Sequence, residues 1–266
     1  QEGFLPGYAF PPQATHLAFS DQEDEIPRDP AIAIYEYAPG NFVYYQGQQY
    51  EVTHARPTTE DMKPMVESIT ICSECGRAYI GGQETKRAVC VCGAPLQHPK
   101  RSLNMSDMFA LGRERITADE EERKRLGYET TQHYLGTGQS TEYQINANGE
   151  TAMQLTLEHK GQVLLINRGV RQVDEDPVGF TLCSKCFRWL LTDNKQEQHI
   201  RTNDQKGKCP QRANAEDLIS GLWLTHTQES DIAVFDVACP EEADRDSFYH
   251  TLSHTLLRAI LVAFNL

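Results

Sequence analysis

Two kinds of hydrophobic pattern run along this chain. Alternation with a period of two dominates. Met153, Leu155 and Leu157 alternate with Gln154, Thr156 and Glu158, which predicts a strand with one buried and one wet face. Asn148-Gly149 supplies a hairpin turn between strands at 142–147 and 151–159, and 163–167 pairs next. Residues 32–35 and 42–45 are strand-like. Gly47-Gln48-Gln49 then turns into a strand at 50–53, which predicts a β-meander. Residues 218–224 and 232–237 read as another strand pair. The helical period appears only late: Phe248, Leu252, Leu256, Leu257, Ile260 and Leu261 form one stripe, so a helix is expected from about Pro240, placed at N1, to Phe264. Thr117 and Glu120 form a capping box ahead of a mixed-charge surface helix.

The expected fold class is α+β, with strand-rich meanders, two zinc-ribbon-like insertions and a C-terminal helix. The expected divisions are an extended opening segment and meander over 1–70, a first ribbon over 71–100, a helix and hairpin region over 101–182, and a second zinc site, strand pair and helix over 183–266. With 266 residues, 39% apolar, the chain is long enough for a substantial core. No apolar run reaches the roughly 20 residues of a membrane-spanning helix. The start, Gln1-Glu2-Gly3-Phe4, has neither an initiator Met nor the basic and apolar regions of a signal peptide, so the chain reads as a segment of something longer. A cytoplasmic location and no membrane partner are expected.

The formal charge is -13. A dedicated nucleic-acid binder is usually basic. One stretch departs from the acidic average: residues 183–212 carry seven basic and three acidic groups. It coincides with a cysteine cluster.

There are eight cysteines. Without a secretory signal, metal binding is a better reading than a disulfide framework. Cys72-Ser-Glu-Cys75 and Cys90-Val-Cys92 are two short chelating pairs, each followed by a glycine (Gly76, Gly93) where a chain bending round a metal often takes positive φ. Four thiolates close a tetrahedral shell around Zn2+, which makes the site structural. The second set begins with Cys183-Ser-Lys-Cys186 and includes Cys209; its fourth ligand is open among His199, Cys239 and His226. His199 is favoured because it lies between Cys186 and Cys209 in a polar stretch. Cys239, ahead of Pro240, reads better as a buried thiol. Two structural zinc ions are therefore the expected cofactors.

Catalytic signatures are missing. His250-Thr-Leu-Ser-His254 has H-E-x-x-H spacing, but Thr251 stands where the general base would be, so packing or hydrogen bonding on the helix face is expected. Gly136-Thr-Gly138 lacks the lysine and spacing of a phosphate-binding loop. The segment carries no complete active site.

Four stretches together resemble a known family. They are Phe4-Leu-Pro-Gly-Tyr-Ala-Phe-Pro11, Arg28-Asp-Pro-Ala-Ile-Ala-Ile-Tyr-Glu-Tyr-Ala-Pro-Gly40, Arg115-Ile-Thr-Ala-Asp-Glu-Glu-Glu-Arg123 with Gly127-Tyr128, and the helix around Ser253-His254. They resemble the region following the two RecA-like lobes in MrfA-like (MZB-containing) superfamily 2 DNA helicases, including large helicases of bacterial phage defence. The resemblance implies an ATP-dependent helicase or translocase with a zinc-bearing C-terminal part. ATP and Mg2+ would then act only through a motor upstream. The chain departs from the family in lacking the ATPase motifs and the cysteine-rich tail of many members, so its zinc ligands rest on spacing alone.

Two readings follow: an accessory region that contacts DNA or docks the motor on a partner, and an interaction scaffold of a multi-subunit defence complex without DNA contact. For the first, Lys185, Arg188, Lys195, Arg201, Lys206, Lys208 and Arg212 are the candidate phosphate contacts, with Phe187 and Trp189 as aromatics that could stack on an unpaired base.

Overall fold

The computed structural model describes residues 14–56, 65–115, 126–136, 139–147, 150–172, 175–200, 209–240 and 242–264. It is strand-rich α+β, as expected. Two compact units divide the chain: residues 1–136 with 162–229, and residues 137–161 with 230–266.

The first sheet of the larger unit has five strands: β1 (Thr15–Phe19), β2 (Glu25–Arg28), β3 (Phe42–Tyr45), β4 (Gln48–Arg56) and β8 (Asp107–Arg115). Their order is β2-β1-β8-β4-β3, antiparallel except for β1 against β8. The β3–β4 hairpin turns at Gln46 and Gly47, both at positive φ, one position earlier than the sequence predicts. Residues 32–35 are not a strand. They lie in helix α1 (Pro30–Glu36). Asp29 caps it, accepting a hydrogen bond from Ala31 N at 2.8 Å, and Pro30 opens its first turn. The cap outweighs the β preference of Ile32 and Ile34.

The second sheet contains β5 (Val66–Ile71), β6 (Ala78–Ile80), β7 (Lys100–Asn104), β9 (Tyr128–Tyr134), β12 (Phe180–Cys183) and parts of two long strands, β11 (Glu150–Val170) and β13 (Leu218–Val237). β6, β5, β7 and β13 lie in that order, with β12 on β13 and β9 on β11. The predicted pair at 218–224 and 232–237 is thus one continuous strand, and 163–167 continues β11. Neither stretch has a residue that must leave the ladder. At Lys160, φ of 53° bends β11 without ending it. β11, β12 and β13 meet at Gly169, Gly179 and Gly221. A Cβ on Gly179 would stand 2.9 Å from the carbonyl carbon of Gly221, so a side chain there would force the strands apart.

The main core belongs to this unit. Leu17, Tyr37, Tyr50, Met108, Phe180, Leu182, Trp189, Leu222 and Leu224 form one buried cluster. Buried Asn167 ties α1 to β11: its Nδ2 donates to Ile34 O at 2.8 Å and its Oδ1 accepts from Gly169 N.

In the smaller unit, β10 (Gln139–Ala147) pairs with β11 through Tyr143↔Leu155 and Thr141↔Leu157. The turn residues Asn148 and Gly149 lie outside the described residues, as does the predicted helix that begins at Thr117. The helix α3 (Arg245–Phe264) begins five residues after Pro240. Asp244 sets its start, its carboxylate accepting from Ser247 N at 3.0 Å. No apolar side chain among the described residues of this unit is fully buried. The hairpin face expected to be buried is half-covered at best, with Tyr143, Ile145 and Leu157 exposed.

Candidate metal centres

Two groups of ligand atoms converge, and both match the favoured sequence reading. Cys72, Cys75, Cys90 and Cys92 form one group. Cys183, Cys186, His199 and Cys209 form the other. Within each group the ligand atoms all lie within 4.8 Å of one another.

The first centre hangs from the β5–β6 hairpin. Cys72 follows β5 directly, Gly76 N donates to Cys72 O at 3.0 Å, and Cys72 N donates to Arg77 O at 2.9 Å. Gly76 takes φ of 71°, which a turn this tight requires. The second pair repeats the device: Gly93 N donates to Cys90 O, and Gly93 has φ of 91°. Sγ atoms of Cys72 and Cys92 lie 3.6 Å apart, those of Cys75 and Cys90 3.5 Å. Four sulfurs at about 2.3 Å from a tetrahedral Zn2+ would stand about 3.8 Å from one another, so the residues fit the ion. Tyr79 braces the site. Its hydroxyl accepts from Val91 N at 3.2 Å and lies 3.1 Å from Cys90 Sγ. Burial opposes ionisation of Cys90, but hydrogen bonds led by the one from Tyr79 overcome it and lower its pKa to about 6. Burial pushes the Cys75 thiol up to about 12.

The second centre is more enclosed. Cys183 ends β12, and Phe187 N donates to Cys183 O at 2.9 Å. His199, on helix α2 (Asp193–Ile200), is 1% exposed, with Nε2 3.4 Å from Cys186 Sγ. Cys209 N donates to His199 O at 2.9 Å, which brings the fourth ligand back to the helix end. A hydrogen bond from Cys186, the largest influence, holds Cys183 down at about 4, while the same shared proton and burial raise Cys186. Cys239 and His226 belong to neither group. The Cys239 thiol donates to Pro240 O at 3.6 Å, and His226 is half-buried, its pKa lowered by that burial.

The two knuckles share a motif that extends beyond the cysteine spacing: Cys72-Ser-Glu-Cys75-Gly-Arg77 and Cys183-Ser-Lys-Cys186-Phe-Arg188. In both, the arginine forms a single bridge to a strand elsewhere in the unit, Arg77 with Tyr134 and Arg188 with His54. Around the first, Gly76 O lies 2.9 Å from His133 Nδ1, and the Arg77 guanidinium donates to Leu135 O and Gly136 O. Around the second, Ala55 N donates to Phe187 O and Trp189 N to Thr53 O, which fastens the knuckle to β4. Phe187 holds φ of 60° where the first knuckle has glycine. Burial of its ring in the main core offsets that strain.

The aromatics therefore do not serve as a stacking platform. Phe187 and Trp189 are 8% and 4% exposed, and Trp189 packs on Phe180 with ring centroids 6.0 Å apart. Of the candidate phosphate contacts, Lys185 pairs with Asp217 at 3.8 Å and Lys195 with Glu51 at 3.5 Å. Arg188 is half-buried and Arg212 exposed, while Arg201, Lys206 and Lys208 lie outside the described residues.

His54, opposite the second knuckle, gives a pH prediction. Burial, then the positive charge of Arg188, lowers its pKa to about 4. The unfolded imidazole titrates near 6.5, so the unfolded chain binds the proton first. The stability due to neutral His54 is complete above about pH 6.5 and is lost as pH falls towards about 4. The urea midpoint should drop across that window, and the drop should be smaller in His54→Gln, the difference between the two chains being the part that protonation of the metal ligands, common to both, does not supply.

Both centres fit Zn2+ as a structural ion. Each offers four ligands, enough to close a tetrahedral shell without an open position. Among the described residues, no helix is long and apolar enough to cross a membrane. No family model, curated protein or solved structure matches the chain.

Proposed function

We propose that this chain is a zinc-stabilised accessory region of a cytoplasmic ATP-dependent DNA helicase or translocase of bacterial phage defence or DNA repair, helping to hold DNA or to dock the motor on a partner. The supporting observation is that both closed clusters fasten strands together rather than present a reactive position. Zn2+ at Cys72, Cys75, Cys90 and Cys92, and at Cys183, Cys186, His199 and Cys209, would supply cross-links and no chemistry. ATP hydrolysis would belong to upstream helicase lobes, for which the resemblance around Arg28, Arg115 and Ser253 is the ground.

A second reading, a scaffold for a defence-complex subunit without DNA contact, is favoured by the pairing of Lys185 and Lys195 with carboxylates and by the burial of Phe187 and Trp189. Salt separates the two. Phosphate contacts give a steep fall of log K with log salt, whereas a scaffold gives no DNA binding. If DNA is held, Lys206→Glu with Lys208→Glu should weaken binding alike for all sequences and flatten the salt slope by about two. Unchanged affinity and slope would show that Lys206 and Lys208 are not phosphate contacts, and the absence of any DNA binding by the wild type would remove the DNA reading and leave the scaffold.

A further inference from the structure

His250 and His254 stand one turn apart on α3, at i and i+4. Both are exposed, so of the two roles expected from the sequence, packing and hydrogen bonding on the helix face, packing does not apply. Their rings nevertheless lie in contact, edge towards face, with centroids 4.6 Å apart and planes inclined at 61°. Two exposed imidazoles one helical turn apart can each turn about the Cβ–Cγ bond to direct one nitrogen at a single ion, and neutral imidazole suits Zn2+, Cu2+ and Ni2+. Asp246, one turn earlier, shares the helix face by register. The unit that carries them holds nine acidic and three basic residues, which favours cations around it.

We propose that His250 and His254 form a third metal site of a different kind: an exchangeable two-imidazole site for a divalent transition ion, with its remaining positions open to water or to a ligand from another molecule. It differs from the two cysteine-rich centres in three respects. It has no thiolate, its ligands face solvent, and they come from a single helix rather than from separate segments brought together by folding. The ion would therefore clip one turn of α3 rather than hold the fold.

The test uses the full chain already loaded with two equivalents of Zn2+. Calorimetric titration with further Zn2+ should find one more equivalent, weaker than the first two, with a Kd in the micromolar range. His250→Ala and His254→Ala, both at exposed positions, should each abolish it and leave the first two equivalents intact. His159→Ala should retain it, although His159 is exposed in the same unit and bonded to Asp231 at 2.7 Å. Amide exchange in α3 should slow by about tenfold when free Zn2+ is ten times Kd, if the ion binds only the helical form. Absence of the third equivalent would overturn the proposal. So would its persistence in His250→Ala or His254→Ala, its loss in His159→Ala, or unchanged exchange in α3.

Discussion

Cys183→Ser should unfold far more of the protein than Cys72→Ser. Purified wild-type protein is expected to hold two zinc ions, and each variant one. The consequences differ because the knuckles fasten different things. The turn at Cys72 is joined to β9 by the Arg77–Tyr134 bridge and the Arg77 side chain, around a smaller cluster of Ile69, Ala78, Leu135 and Ile166. The turn at Cys183 fastens β12 to β4 and carries Phe187 and Trp189 into the main core. Metal binding at such a site is folding energy, with apparent values of about 10–16 kcal/mol for structural zinc in small peptides. Loss of the second centre should therefore abolish the cooperative thermal transition or lower its midpoint steeply. Cys72→Ser should leave a transition and a near-ultraviolet aromatic signal. Equal damage from the two variants would contradict the different roles of the knuckles.

Trp189→Ala should cost about 3–5 kcal/mol, the usual loss for a large aromatic removed from a core, while zinc content stays at two. Trp189 packs on Phe180, and its backbone donates to Thr53 O, a bond the substitution keeps. Its Nε1 is buried and has no hydrogen-bond partner among the described residues. Trp189→Phe should therefore lose less than half as much, since a smaller ring remains and an unpaired donor disappears. Urea unfolding with a zinc assay on the same samples measures both. Zinc loss in Trp189→Ala under native conditions would mean that the core holds the metal site together, not the reverse.

The candidate metal ligands were legible because chelation imposes local spacing: Cys72 with Cys75, Cys90 with Cys92, and Cys183 with Cys186. His199 was favoured by its place, an imidazole in a polar stretch between two thiols, with Cys239 and His226 still open, and the structure brings His199 to the group. Features set by distant partners were not. Ile32 and Ile34 argue for a strand until Asp29 is seen to cap a helix. Nothing local says whether residues 225–231 turn or run on, and β13 runs on. Phe187 and Trp189 sit beside Lys185 and Arg188, so their surroundings in sequence look like a nucleic-acid surface. Their surroundings in space are Phe180, Thr53 and Ala55. Met153, Leu155 and Leu157 alternate as a buried face should, yet the described residues of the smaller unit supply no fully buried apolar layer to cover them.

The bridge from Arg188 to His54 also bears on the order of events in folding. Those two residues are far apart in sequence, and pairings of that kind are slow, because the chain gives up loop entropy before any contact compensates for it. The ligands of the second centre are neighbours by comparison, all lying between Cys183 and Cys209. An ion can gather them before the sheets have met, and the gathered knuckle then presents the backbone of Phe187, Arg188 and Trp189 as a ready-made edge for β4. The metal supply would thus govern how fast the larger unit closes as well as how firmly it stays closed, and a chain synthesised in zinc-poor surroundings would wait with the Thr53 and Ala55 end of β4 unpaired beyond β3.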